Sequence, residues 1–139
     1  MGKKVKVVFD TNIWISIFIE KRTRDEFSRV KQDLAVYISE DIGLEISKVL
    51  QYPKVSEILR KTGLREKDVL RILAANSRKV EPKLKLHAVN EDAEDNKILE
   101  CALAANADIV VSGDKHLLEL DKFKKIRILT PREFFDSLT

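Results

Sequence analysis

The sequence predicts an α/β fold, a three-layer α/β/α sandwich built on a mainly parallel sheet of about five strands. Three observations carry that prediction. Short apolar runs recur at Val5–Phe9, Ala35–Ile38, Asp108–Ser112 and Ile126–Leu129. Segments with helical apolar spacing separate most of them. The runs are continuous rather than alternating, which marks strands covered on both faces. The 139 residues fit one domain, 1–139.

The elements follow in order. Val5-Lys-Val-Val-Phe9 is a strand that stops at Asp10. Ile13 to Glu20 is helical, and the polar segment Arg22 to Asp33 is a second, more exposed helix. Ala35-Val-Tyr-Ile38 is the next strand, and Ser39 suits an N-cap. Glu40 to Gln51 has apolar residues at 42, 46, 49 and 50, a helical spacing. Pro53 opens a helix to about Lys61, which Gly63 closes. Glu66 to Arg78 repeats the pattern. Val80 to Val89 is extended and contains Pro82. Ala93 to Asn106 is a strong helix, with Ile98, Leu99, Ala102 and Ala105 on one side. Asp108 to Ser112 is a buried strand, and Gly113-Asp114 starts a short helix. Ile126 to Leu129 is the last strand. Pro131 opens a terminal amphipathic helix whose Phe134, Phe135 and Leu138 close the core.

Composition excludes several classes. Lys and Arg number 26 against 23 Asp and Glu, a net +3 too weak to announce a nucleic-acid partner. The single Cys101 rules out an internal disulfide framework and suits a reducing, cytoplasmic setting. No apolar run approaches the roughly 20 residues that span a bilayer, so no membrane partner is expected. The basic start meets Asp10 too soon for a signal peptide. Glycines at 2, 43, 63 and 113 form neither a phosphate-cradling nor a dinucleotide loop.

In parallel sheets ligands sit beyond the carboxyl ends of the strands, so the polar residues there matter most. Asp10 follows the first strand, and Asp114 follows the Asp108–Ser112 strand across Gly113. Either alone reads best as a helix N-cap. Two acids at two strand ends shift the balance toward a ligand site. Glu45 lies one turn into the helix after the second strand. Asp92, Glu94 and Asp95 crowd the start of the helix from Ala93, where the dipole favours acids. Asp95 shares the stripe of Ile98, Leu99 and Ala102, while Glu94 and Glu100 turn to solvent. One like-charge pair at 4 Å costs about 4 kcal/mol at an effective dielectric of 20. Clustered acids therefore call for a divalent cation, and all-oxygen donors suit Mg2+ or Mn2+. The chemistry that follows is metal-assisted hydrolysis of a phosphodiester.

At this point the residues resemble a known family, the PIN-domain ribonucleases. Val7-Val-Phe-Asp10-Thr-Asn12-Ile-Trp-Ile-Ser16 is similar to the family's opening strand and Asp-Thr-Asn turn. Ser39 to Leu50, with Pro53-Lys54, resembles the block that carries the second acid. Glu94-Asp95-Asn96-Lys97-Ile-Leu-Glu-Cys-Ala102 resembles the third block. Ile109-Val-Val-Ser-Gly113-Asp114-Lys-His-Leu-Leu118 resembles the fourth. Each motif is weak alone, whereas the ordered set is specific. The chain is most similar to the VapC-like branch, the toxin components of toxin–antitoxin pairs.

The resemblance implies that Asp10, Glu45, Asp95 and Asp114 are catalytic and hold Mg2+ or Mn2+. It implies a supporting role for Asn12 in orienting Asp10, and a contact from Thr11 or Ser112 to the phosphate or an acidic ligand. Asp92 is a further acid near the site. It also implies an RNA substrate, an antitoxin partner and a homodimer. Lys115 is the basic residue expected nearest the RNA. Many family members carry an acid where this chain has His116. The plain reading of His116 is a surface histidine. The sharper one places it beside the metal, favouring Mn2+ over Mg2+. His87 is read as structural. Trp14 and Phe18 fit core or subunit packing better than base stacking. With the four site acids set apart, 19 acids face 26 bases, so the remainder carries +7.

Other classes fit less well. A receiver domain needs an acidic pair at the first strand, where Thr11 and Asn12 follow Asp10. A haloacid-dehalogenase-type phosphatase needs Asp at the position of Asn12. A non-catalytic PIN fold that binds RNA or protein has no reason to cluster repelling acids.

Overall fold

The computed structural model describes residues 3–86 and 93–138. His87 and Asp92 lie outside the described residues. The chain forms β1 (Val5–Phe9), α1 (Thr11–Ile19), α2 (Lys21–Val30), a 3-10 turn (Lys31–Asp33) and β2 (Leu34–Ile38). Then come α3 (Glu40–Leu50), α4 (Pro53–Lys61), α5 (Glu66–Ala75) and β3 (Arg78–Lys79). The C-terminal half holds α6 (Ala93–Ala105), β4 (Ile109–Val111), α7 (Lys115–Leu118), β5 (Lys122–Phe123), β6 (Ile126–Leu129) and α8 (Pro131–Ser137).

The sheet has six strands in the order β3-β2-β1-β4-β6-β5. Every neighbouring pair is parallel except β5 with β6. The mainly parallel α/β architecture expected from the apolar runs is therefore present, with one strand more than anticipated. The β1-to-β2 connection moves one way along the sheet, and the return to β4 moves the other way. Right-handed crossovers then put α1–α2 and α6 on opposite faces. α6 packs across β1, β2 and β4, while α8 meets both β6 and α2.

The core explains the strand ends. Val7, Val8, Phe9, Val110 and Val111 are wholly buried. Phe9, the last residue of β1, meets Trp14 edge-on at 5.3 Å and both Phe27 and Phe134 at 5.9 Å. Trp14 stacks on Phe18 at 6.1 Å. Such pairs add about 0.5–1.5 kcal/mol each beyond burial, and they fix β1 where it delivers Asp10. Trp14 and Phe18 are core residues, which leaves neither ring for base stacking.

Two helix ends differ from expectation by more than one residue. The helix from Glu66 stops at Ala75 rather than Arg78. The Asn76 amide donates to Ile72 O (2.8 Å) and the Ser77 hydroxyl to Leu73 O (2.6 Å), so side chains take up the final carbonyls. That frees Arg78 and Lys79 to pair with Tyr37 and Ile38 as an edge strand. The helix from Arg22 to Asp33 ends at Val30 and tightens into the 3-10 turn. Among the described residues after Lys79, Val80 to Leu86 is irregular and is pinned at both ends. Val80 N–H donates to Ile38 O (2.9 Å), and Leu86 N–H donates to Glu100 Oε2 (2.9 Å). Glu100, expected to face solvent, thus anchors a loop.

Candidate active site

β2 lies on one side of β1 and β4 on the other. Connections leave the carboxyl ends of β1 and β4 in opposite directions, which opens a crevice between them. Asp10 and Asp114 sit at its lip.

Asp10 extends the β1–β4 ladder, its N–H donating to Val111 O (3.1 Å). Oδ1 accepts from Ile13 N–H (3.0 Å) and so caps α1. Oδ2 accepts from the Ser112 hydroxyl. The cap and the site are thus one residue, with one oxygen for each duty. Only 7% of Asp10 is exposed. Burial is the main cause that raises its carboxyl pKa. The Ser112 and Ile13 hydrogen bonds oppose that rise, and the Asp114 charge adds to it.

Ser112 is wholly buried. Its hydroxyl donates to Asp10 and accepts from Asp114 N–H (2.9 Å). The expected contact of Ser112 with a phosphate does not fit this placement, because the hydroxyl is spent inside the protein. Asp114 Oδ1 accepts from His116 N–H (2.8 Å) and caps α7. Ser39 caps α3 through Ile42 N–H (3.2 Å), which sets the phase that carries Glu45.

Asp10, Glu45, Asp95 and Asp114 line one cleft of about 160 Å3, together with Thr11, Asn12, Glu94 and Ile98. The four expected acids thus converge from the ends of β1 and β4, from α3 and from α6. Asp95 is 6% exposed, as its helical stripe requires. Glu94 is exposed, as expected, and also borders the cleft. The Asn12 side chain is exposed and also lines the cleft. Asp10 is held by the Ser112 hydroxyl and Ile13 N–H, and the Asn12 backbone N–H also favours its carboxylate. Lys115 is exposed at the start of α7, beside the cleft rather than in its wall.

Lys97 was not singled out from the sequence. Its ammonium lies 3.4 Å from Glu94. Glu94 chiefly raises its pKa, with Asp41 and Glu45 adding to the effect. The readable signal was the Glu94–Lys97 spacing of three on one helix.

No cationic side chain is among the described residues lining the cleft. Asp95, Asp114 and His116 each offer one donor atom, all within 4.8 Å of one another. Carboxylate oxygens with one imidazole nitrogen fit a divalent cation of the Mg2+ or Mn2+ kind.

The PIN domain family matches residues 6–116, from β1 into α7. The chain belongs to the PIN-domain family. An uncharacterized protein of Methanocaldococcus jannaschii is 33% identical over 150 aligned positions, covering 96% of this chain and 92% of the relative. VapBC2 of Rickettsia felis, solved bound to a DNA fragment from its promoter, shares the fold. The TM-score is 0.61 at 14% identity, over 91% of this chain and 98% of that one. PIN domains are generally nucleases and use divalent metals, so family membership and the acidic cleft together support a hydrolase. Among the described residues no helix is long and apolar enough to cross a membrane.

Proposed function

We propose that this PIN domain is a metal-dependent endoribonuclease, the toxin half of a toxin–antitoxin pair. The observation that carries the reading is the convergence of Asp10, Glu45, Asp95 and Asp114, with Glu94, on one cleft whose described lining residues include no cation. Acids so placed are stable together when a divalent cation joins them. The cation supplies an activated water and neutralises charge on the phosphate.

The chain's own residues do the rest. Ser112 and Ile13 N–H hold the Asp10 carboxylate at a fixed angle. Asp114 is fixed by its own cap and by Ser112. Asp95 and Glu45 close the cleft from α6 and α3. Thr11 and Asn12 border the open side, where a phosphodiester enters. Lys97 and Lys115, beside the acids, draw a polyanion toward them. A toxin role is supported by the fold likeness to VapBC2, a toxin–antitoxin complex. The same likeness supports an antitoxin partner. A homodimer is part of the proposal through the family resemblance. A cytoplasmic setting accords with the single, buried Cys101.

The test is cleavage of single-stranded RNA by the purified protein. Cleavage should require Mn2+ or Mg2+, stop with EDTA and be lost in Asp10→Asn. Asp10→Asn cutting as well as the parent would remove Asp10 from the mechanism. Tight RNA binding under Mn2+ without cleavage would instead favour the non-catalytic module.

A further inference from the structure

The geometry points to His116 as a direct nitrogen ligand of the cleft cation, joining Asp95 and Asp114 and tuning the site to Mn2+ over Mg2+. This rests on reading the cleft as a divalent-cation site.

Three features of the fold converge on it. His116 is the second residue of α7, and its backbone N–H is bonded to Asp114 Oδ1 (2.8 Å). That bond fixes its Cα beside the Asp114 carboxylate. The imidazole then folds back over the same acid, with Nδ1 3.6 Å from Oδ1. Donor atoms of Asp95, Asp114 and His116 all fall within 4.8 Å of one another. Two donors on opposite sides of an ion at about 2.1 Å stand about 4.2 Å apart. Small side-chain rotations therefore bring all three onto one ion. His116 is 35% exposed, so the ring is free to make them.

Charge supplies a reason for a nitrogen here. The cleft already gathers five carboxylates. A further acid would add repulsion of about 4 kcal/mol for each neighbour at 4 Å and an effective dielectric of 20. A neutral imidazole completes the donor set without that cost. It also changes the preference of the site. Mg2+ keeps oxygen donors and water, whereas Mn2+ accepts imidazole more readily. The histidine thus sets which cation occupies the cleft.

The experiment uses the full chain, freed of metal and titrated with Mn2+. Pulsed electron paramagnetic resonance reads nitrogen-14 modulation from a bound imidazole. Wild type should show it, His87→Ala should keep it, and His116→Ala should lose it. Calorimetry should find Mn2+ binding at least about tenfold weaker in His116→Ala, the loss that even an outer-shell partner brings. His116→Asp should discriminate less between Mn2+ and Mg2+ than wild type. Modulation that is absent from wild type with Mn2+ bound, or that persists in His116→Ala, overturns the assignment and leaves the carboxylate site standing. Failure of wild type to bind Mn2+ overturns both.

Discussion

Asp10 carries two demands that pull its proton in opposite directions. Burial favours the neutral acid, and three hydrogen bonds, from Ser112, Ile13 and Asn12, favour the carboxylate; burial prevails, so its pKa in the fold is raised above 3.8. A raised carboxyl contributes stability that is fully present below about 3.8 and is lost as pH rises through its folded value. Asp10→Asn removes that titration. In EDTA, the melting temperature of Asp10→Asn relative to wild type should therefore climb between pH 4 and pH 7.5. A difference that stays flat with pH would contradict the burial-driven shift. Ser112 acts through Asp10 and Asp114 rather than on substrate. Ser112→Ala should cost about 1–3 kcal/mol, the range for leaving buried partners unmade. The acids it holds should lose register, and misplacements of about 1 Å cost up to about 100-fold in rate. Steady-state RNA cleavage should show this as a fall in kcat at near-constant KM. Cys101 is a bystander: burial pushes its thiol up to about 12, with Ser39 opposing.

At the scale of elements, the hairpin of β5 and β6 holds a removable strain. Phe123 pairs with Ile126, leaving Lys124 and Lys125 as a two-residue loop. Lys124 has φ 55°, a conformation that costs a non-glycine residue about 1 kcal/mol. Two-residue hairpins place glycine at such a position. Lys124→Gly should therefore raise stability by about 0.5–1 kcal/mol, and urea unfolding should show a higher midpoint at unchanged slope. The same hairpin shows what a sequence conceals. Runs such as Val5–Phe9 or Ile126–Leu129 announce strands because their apolar residues must be buried. β3 is Arg-Lys and β5 is Lys-Phe, two residues each, too short to carry any period. They are strands because a neighbour offers its edge. The end of α5 was hidden for a related reason. Asn76 and Ser77 read as ordinary polar residues, and only their bonds to Ile72 and Leu73 show that they terminate a helix.

At the scale of the molecule, the four acids were legible because each sits at a landmark, either a strand end or a first helical turn. Their convergence follows from the strand order, which splits at β1 and β4. Glu94 is exposed as expected, but helical phase alone cannot show that the cleft extends past the buried stripe to reach it. The Ser112–Asp10 bond was not legible, because it depends on β1 and β4 lying side by side. The convergence itself carries a cost, since folding brings acids from four elements together. A cation that binds only the folded cleft stabilises it by about 2.7 kcal/mol at one hundred times its dissociation constant. For a chain of this size that corresponds to roughly 10 °C. Saturating Mn2+ should raise the melting temperature of wild type by that order, and excess EDTA should reverse it. Asp95→Asn with Asp114→Asn should melt higher than wild type in EDTA, because two charges have gone. The double variant should respond little to Mn2+. A wild type whose melting temperature ignores Mn2+ would show that the folded cleft does not bind the cation.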